Sequence, residues 1–225
     1  MRKAVVLVSG GLDSATALGI ASLEYEPYAL SFVYGQRHRK ELECAKKVCK
    51  FYKTKEHKII RINLDALGGS ALTDPNIEVP LGREDIGRDI PITYVPARNL
   101  IFLSVAGAYA EVIGAEAIFI GANAVDFSGY PDCREDFLKA FEEALARGTK
   151  AGVSGKRIKV VAPLLHMSKA EIIRKGMELG VPYKFTWSCY SGGKKACGKC
   201  DACILRLKGF EEAGYADPIE YEGHR

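Results

Sequence analysis

Four cysteines near the C-terminal end, Cys189, Cys197, Cys200 and Cys203, have the spacing of a metal site. The last three form C-x2-C-x2-C, with Cys189 eight positions before the first of them. Four thiolates fill a tetrahedral zinc shell and leave no open position, so such an ion would be structural rather than catalytic. Gly198 between two of them permits a tight turn. Tandem C-x2-C steps also hold iron-sulfur clusters; no Cys-Pro follows here and no electron-transfer partner site is evident, which favours zinc. The total of seven cysteines would leave one unpaired in a disulfide framework, and in a reducing compartment the cluster reads as metal before disulfide.

The second chemical motif is SGGLDS, Ser9 to Ser14, between an apolar run and a helical pattern. Gly10 and Gly11 let backbone approach a ligand closely, and Ser9 and Ser14 add hydroxyls. Amides of the turn and of the opening helix would converge on one spot, with the positive end of the helix dipole behind them. A phosphate or pyrophosphate suits that spot. On the turn alone, an ordinary glycine turn capped by Asp13 or Ser14 reads equally well. Neither G-x-x-x-x-G-K-[ST] nor a strand-following G-x-G-x-x-G occurs, which demotes Walker-type hydrolysis and dinucleotide binding. SGGLDS in this context resembles the pyrophosphate loop of the ATP pyrophosphatases, which implies attack of a nucleophile on an α phosphate.

Further polar groups are candidates for the substrate side. In VPARN, Arg98 and Asn99 open a helix after Pro96, where they would meet an anion or simply cap the helix. The stretch GANAVDFSGYPDCR supplies Asp126, Phe127, Tyr130 and Asp132. Its rings would stack on a planar heterocycle and its carboxylates would accept N–H donors, although single aromatics more often pack in cores. Lys169 reads as a phosphate ligand or as an ordinary exposed lysine. Cys44 and Cys49 read as core; Cys133 sits in a loop past a strand end, where ligands of open sheets bind, with local packing as the alternative. Trp187 lies beside the cysteine cluster.

These groups need a scaffold. Buried parallel strands are predicted at Ala4 to Val8, Tyr28 to Tyr34, Ile59 to Ile62, Ala117 to Gly121 and Ile158 to Pro163. Helices are predicted at Asp13 to Leu23, His38 to Tyr52, Arg98 to Ile113, Arg134 to Ala146, and from the Ser168/Glu171 capping box to Leu179. Alternating strand and helix make the class α/β with a mostly parallel five-stranded sheet. The length, 225 residues, fits a single domain spanning 1–225, with residues 182–225 as its zinc-binding segment. Leu64 to Pro91, rich in glycine and proline, is a lid candidate. The N-terminal apolar run is too short for a signal peptide or a membrane span, so a cytoplasmic protein without membrane association is expected. A net charge of +4 gives no argument for nucleic acid.

In order along the chain, SGGLDS, VPARN, GANAVDFSGYPDCR, PLLHMSKAEI, TWSCY and CGKCDACILR together resemble the 7-cyano-7-deazaguanine synthase family of PP-loop ATP pyrophosphatases. The resemblance implies a nucleotide α-hydrolase-like fold, a homodimer, and a four-thiolate zinc at Cys189, Cys197, Cys200 and Cys203. It implies ATP binding along Val8, Ser9, Gly10, Gly11, Leu12, Asp13, Ser14, Ala15, Thr16, Ala17 and Leu18, with Mg²⁺ bridging the phosphates. The implied reaction is an ATP-dependent ligation converting 7-carboxy-7-deazaguanine and free ammonia to the nitrile, with two ATP giving two AMP and two pyrophosphates. Catalytic roles then fall to Ser9, Asp13, Ser14, Lys169 and Arg98, and deazapurine contacts to Arg98, Asn99, Asp126, Phe127, Tyr130 and Asp132. Phe127 stands where the family usually carries tyrosine. Two other readings remain. One is a tRNA sulfurtransferase with Cys133 as sulfur carrier; the other is a zinc-stabilised binding module using Arg37 to Lys40 and Lys194 to Lys199 as basic contacts.

Overall fold

Alternation along the first strand shows how the layers assemble. In β1 (Arg2–Leu7), Val5 and Leu7 enter one core, while Ala4 and Val6, followed by Val8, enter another. A strand with apolar residues on both sides needs cover on both faces, as a parallel sheet flanked by helices provides. The computed structural model describes residues 1–82, 90–123 and 130–223 and shows that arrangement. β1 is followed by α1 (Leu12–Ala21), β2 (Tyr25–Val33), α2 (Lys40–Phe51) and β3 (Glu56–Arg61). Then come α3 (Arg98–Ile113), β4 (Ala117–Phe119), α4 (Glu135–Gly148), α5 (Lys150–Val153), β5 (Lys159–Val161), α6 (Lys169–Glu178) and α7 (Asp201–Ala213).

The five strands are ordered β3-β2-β1-β4-β5, and every pairing is parallel. One core joins this sheet to α3 and α4, through residues such as Leu103, Ala106, Leu138 and Leu145. The other joins it to α1, α2, α6 and α7 through Leu18, Val48, Ile172 and Phe210. Phe32 stacks on Phe102, with ring centroids 3.9 Å apart. The Ser168 and Glu171 capping box forms as its sequence predicts, and α3 ends on a left-handed Gly114 at φ 67°.

The structure departs from the sequence expectations in places. β4 stops at Phe119 and β5 at Val161, two residues short of each predicted end. α2 starts at Lys40 rather than His38. Helix α7 has no counterpart among the predicted elements. Its buried side carries Cys203, Arg206, Gly209 and Phe210, so a cation and a glycine interrupt the apolar stripe that would mark an amphipathic helix. Arg206 is nonetheless 2% exposed, because Asp217 pairs with it at 2.7 Å and Thr186 accepts its Nη1 proton at 2.8 Å. Among the described residues, no helix is long and apolar enough to cross a membrane.

Candidate active site

Strand order turns at β1, with β2 and β3 on one side and β4 and β5 on the other. Loops leaving the carboxyl ends of β1 and β4 diverge there, which opens the crevice where ligands of open α/β sheets bind. A cleft of about 280 Å³ occupies it, lined by Ser9, Gly11, Asp13 and Ser14 on one side and by Tyr34, Arg98, Tyr130 and Tyr190 on another.

The phosphate loop is shaped by its own hydroxyls. Ser14 Oγ donates to the Gly11 carbonyl at 3.0 Å and accepts the Ser9 hydroxyl at 3.0 Å and the Gly10 amide at 3.3 Å. Ser9 Oγ accepts the Gly11 amide at 3.2 Å. Gly11, the N-cap of α1, makes no side-chain cap bond, so the first amides of α1 keep the anion-seeking character of an open helix start. Gly10 has φ +94°, and a Cβ on it would lie 1.9 Å from the Glu41 carbonyl oxygen of α2. At the end of β4, a Cβ on Gly121 would lie 2.9 Å from the Ser14 amide nitrogen. The loop is therefore clamped between two backbones. Farther along the nucleotide stretch, Ala15, Thr16, Ala17 and Leu18 are fully buried in α1 and do not line the cleft.

Lys169 is not the exposed lysine of the plain alternative. It opens α6 at 8% exposure and places Nζ 2.8 and 2.9 Å from the two oxygens of Asp13. Gly209 of α7 makes room for its stem, since a Cβ there would lie 2.3 Å from Lys169 Cγ. The structure thus brings together the phosphate loop, a carboxylate and a buried ammonium.

On the other side, Ala97 takes a left-handed φ of 54° just before α3, and Arg98 and Asn99 follow as the helix opens. Asn99 is committed to structure: its amide donates to Asp132 Oδ2 at 2.9 Å and its Nδ2 to Cys133 Sγ at 3.2 Å. Asp132 caps α3 and does not line the cleft, whereas Arg98, Asn99, Tyr130 and Cys133 do. Burial, reinforced by Asp132, pushes the Cys133 thiol up to about 12. Asp126 and Phe127 lie outside the described residues.

The four cysteine sulfurs lie within 4.8 Å of one another. Backbone amides of Ser191 and Cys197 donate to Cys189 Sγ at 3.4 and 3.3 Å, and those of Lys199 and Cys200 to Cys197 Sγ at 3.4 Å. Such donors stabilise thiolates, and the donor set suits a closed zinc site. Trp187, Ala196 and Tyr221 pack around it. The segment is tied to the N-terminal end of α2: His38 Nε2 meets the Cys189 carbonyl at 2.9 Å, and Lys40 Nζ sits 3.4 Å over the Trp187 ring. Arg37 donates to the carbonyls of Ala71 and Asp74, and Lys40 to those of Gly193 and Lys194. Those two cations hold the fold together instead of forming a free basic surface.

Comparison with known proteins completes the picture. The sequence model for the queuosine biosynthesis protein QueC matches residues 3–214. The chain belongs to the QueC family. Within that family it is 61% identical to a 7-cyano-7-deazaguanine synthase of Acetivibrio thermocellus, with 98% of each chain covered. It is 59% identical to the synthase of Picrophilus torridus, covering all of this chain and 93% of that one. Among solved structures it resembles the NMN synthetase of Francisella tularensis at a TM-score of 0.52 and 19% identity, covering 96% of this chain and 78% of that one. That likeness is one of fold, and the architecture is that of the adenine nucleotide α-hydrolases.

For this QueC-family chain, the cleft residue that sequence reasoning passed over is Glu41. It lies in the first turn of α2, where an acid is ordinarily read as a partner of the helix dipole. The structure directs it into the cleft, and burial pushes its carboxyl up to about 7, against the opposing charge of Arg98. Tyr34 and Tyr190, also unmarked in the sequence, line the same cleft.

Proposed function

We propose that the chain is an ATP-dependent 7-cyano-7-deazaguanine synthase, joining 7-carboxy-7-deazaguanine to ammonia and dehydrating the amide to the nitrile. One observation carries the reading: in a QueC-family chain, an open helix start with a hydroxyl-shaped loop shares one cleft with Arg98 and an aromatic wall. Amides from Leu12 onward, at the start of α1, hold the pyrophosphate leaving group through hydrogen bonds that need no reorganisation. Ser9 and Ser14 keep the loop in shape. The substrate carboxylate attacks the α phosphate, giving an acyl adenylate and pyrophosphate. Ammonia displaces AMP to form the amide; the amide oxygen then attacks the α phosphate of a second ATP, releasing a second pyrophosphate, and loss of AMP with a proton leaves the nitrile.

Lys169 supplies positive charge next to the loop, and its pairing with Asp13 holds the ammonium inside the cleft before nucleotide arrives. Asp13 would be the carboxylate that holds Mg²⁺ arriving with ATP, which would neutralise phosphate charge. Arg98 neutralises charge on the deazapurine side. Tyr130 and the residues at 126 and 127 belong to the deazapurine contacts, and the protein works as a homodimer. Zinc held by Cys189, Cys197, Cys200 and Cys203 serves as a fastener and supplies no reactive position.

The test is an omission series. Pyrophosphate release should require the protein, ATP, Mg²⁺ and 7-carboxy-7-deazaguanine together, and the nitrile mass should appear only when ammonium is added. Ammonium-dependent release without the deazapurine would refute the assignment.

A further inference from the structure

Glu41 and Arg98 are opposite charges facing one cleft, yet they are not paired with each other. The carboxylate feels Arg98 at a distance and takes no side-chain hydrogen bond among the described residues, and no carboxylate there forms an ion pair with the guanidinium. A half-buried carboxylate that lines a cleft without a protein partner is available to a ligand that brings N–H donors. The main chain of Glu41 is also fixed, because its carbonyl lies against the Gly10 backbone of the phosphate loop. A group reaching into the cleft from that point is held at a set distance from the phosphates.

The surroundings define what it would meet. Phe32, Phe102, Tyr34, Tyr130 and Tyr190 give the cleft flat apolar walls. A planar heterocycle between such walls has only its edges left to be read. The aminopyrimidinone edge of a deazaguanine presents a ring N–H and an exocyclic amine side by side, and a carboxylate accepts both with its two oxygens.

We infer that Glu41 is the specificity-determining residue for the deazapurine, accepting the ring N–H and the exocyclic amine from the first turn of α2. The inference rests on the synthase reading above. It assigns Glu41 a binding role and no part in bond making.

The test compares wild type, Glu41→Gln and Glu41→Ala, each with zinc content and melting temperature measured, on 7-carboxy-7-deazaguanine and on the analogue that lacks the exocyclic amine. Wild type should turn over the guanine compound and discriminate against the analogue by about 100-fold or more in kcat/KM, since a site built to bond a polar group rejects the analogue lacking it. Glu41→Gln keeps one acceptor, so KM for the deazapurine should rise about tenfold, with KM for ATP changed less than about twofold; Glu41→Ala should erase the discrimination. Calorimetric binding of the deazapurine in the absence of ATP should weaken in the same order. Folded, zinc-loaded variants that keep wild-type deazapurine KM and wild-type discrimination would overturn the inference. A rise confined to the ATP KM would overturn it too, by making Glu41 a support for the loop. A wild-type protein inactive on the guanine compound would instead sink the synthase reading, and this inference with it.

Discussion

The amide of Trp187 donates to the carbonyl of Gly10 at 2.9 Å, joining the cysteine-bearing segment to the phosphate loop by one main-chain hydrogen bond. Trp187 Nε1 in turn donates to the Cys189 carbonyl at 2.9 Å. Two residues separate a thiolate from the loop that would hold pyrophosphate. Metal content and nucleotide affinity should therefore be linked. Cys200→Ser should lower zinc stoichiometry and melting temperature together, and any folded remainder should bind ATP about tenfold more weakly. Metal analysis beside calorimetric ATP titration checks this; unchanged zinc in the variant would contradict the four-thiolate assignment.

The two loop glycines should respond differently to alanine. At Gly10 the added methyl meets the Glu41 carbonyl at 1.9 Å and must hold φ +94°, so Gly10→Ala should cost about 3 kcal/mol or more, or prevent folding. At Gly11 the nearest atom is the Ser9 hydroxyl at 3.3 Å and the backbone is extended, so Gly11→Ala should fold normally and lose activity through crowding of the anion position. Urea melts of both variants together with pyrophosphate assays separate the two effects.

The Asp13–Lys169 pair is mostly buried, so removing one partner strands the other. Lys169→Met should reduce kcat by about 100-fold or more, the scale seen when one charge-stabilising donor is lost. Asp13→Ala and Ser14→Ala should abolish pyrophosphate release. Wild-type rates in any of the three would remove that residue from the assigned machinery.

Cys133 lines the cleft but is buried against Asn99, and its thiol is pushed up to about 12. It should be protonated at pH 8 and label slowly with iodoacetamide in the zinc-loaded protein, as mass mapping would report. Cys133→Ser should keep most activity. Rapid labelling with loss of turnover would revive a sulfur-carrier role.

Glu41 gives the pH dependence its sign. Burial raises its carboxyl to about 7, with Arg98 of α3 pulling down and Cys189 of the cysteine cluster pushing up; the Tyr34 and Tyr190 phenols lie on the same cleft. Only the ionised form accepts two N–H donors, so KM for the deazapurine should fall as pH rises from about 6 to 8 and level off above. Glu41→Gln should flatten that profile. Because the native pKa lies above the unfolded one, stability from this group is full below about 4.5 and is lost as pH climbs through about 7.

Much of this was legible in the chain. Apolar runs marked all five strands, SGGLDS marked the turn after β1, and C-x2-C-x2-C marked the clustered cysteines, because each is a local pattern with a local physical cause. Helix α7 was hidden because its packing depends on an arginine neutralised by a distant aspartate. Glu41 was hidden because nothing near it in sequence shows that α2 points it into a cleft formed by β1, α3 and the cysteine segment. Asp132 read as a free acceptor because its partner Asn99 lies 33 positions away. Contacts set by topology leave no periodic trace.

The most direct test is the ratio of AMP to nitrile in a single reaction of purified, zinc-loaded protein with ATP, Mg²⁺, ammonium and 7-carboxy-7-deazaguanine, with product followed by mass. The account predicts two AMP and two pyrophosphates per nitrile, strictly dependent on the deazapurine. Folded, zinc-loaded protein that consumes no ATP with this substrate, or that releases ADP in place of AMP, would contradict it.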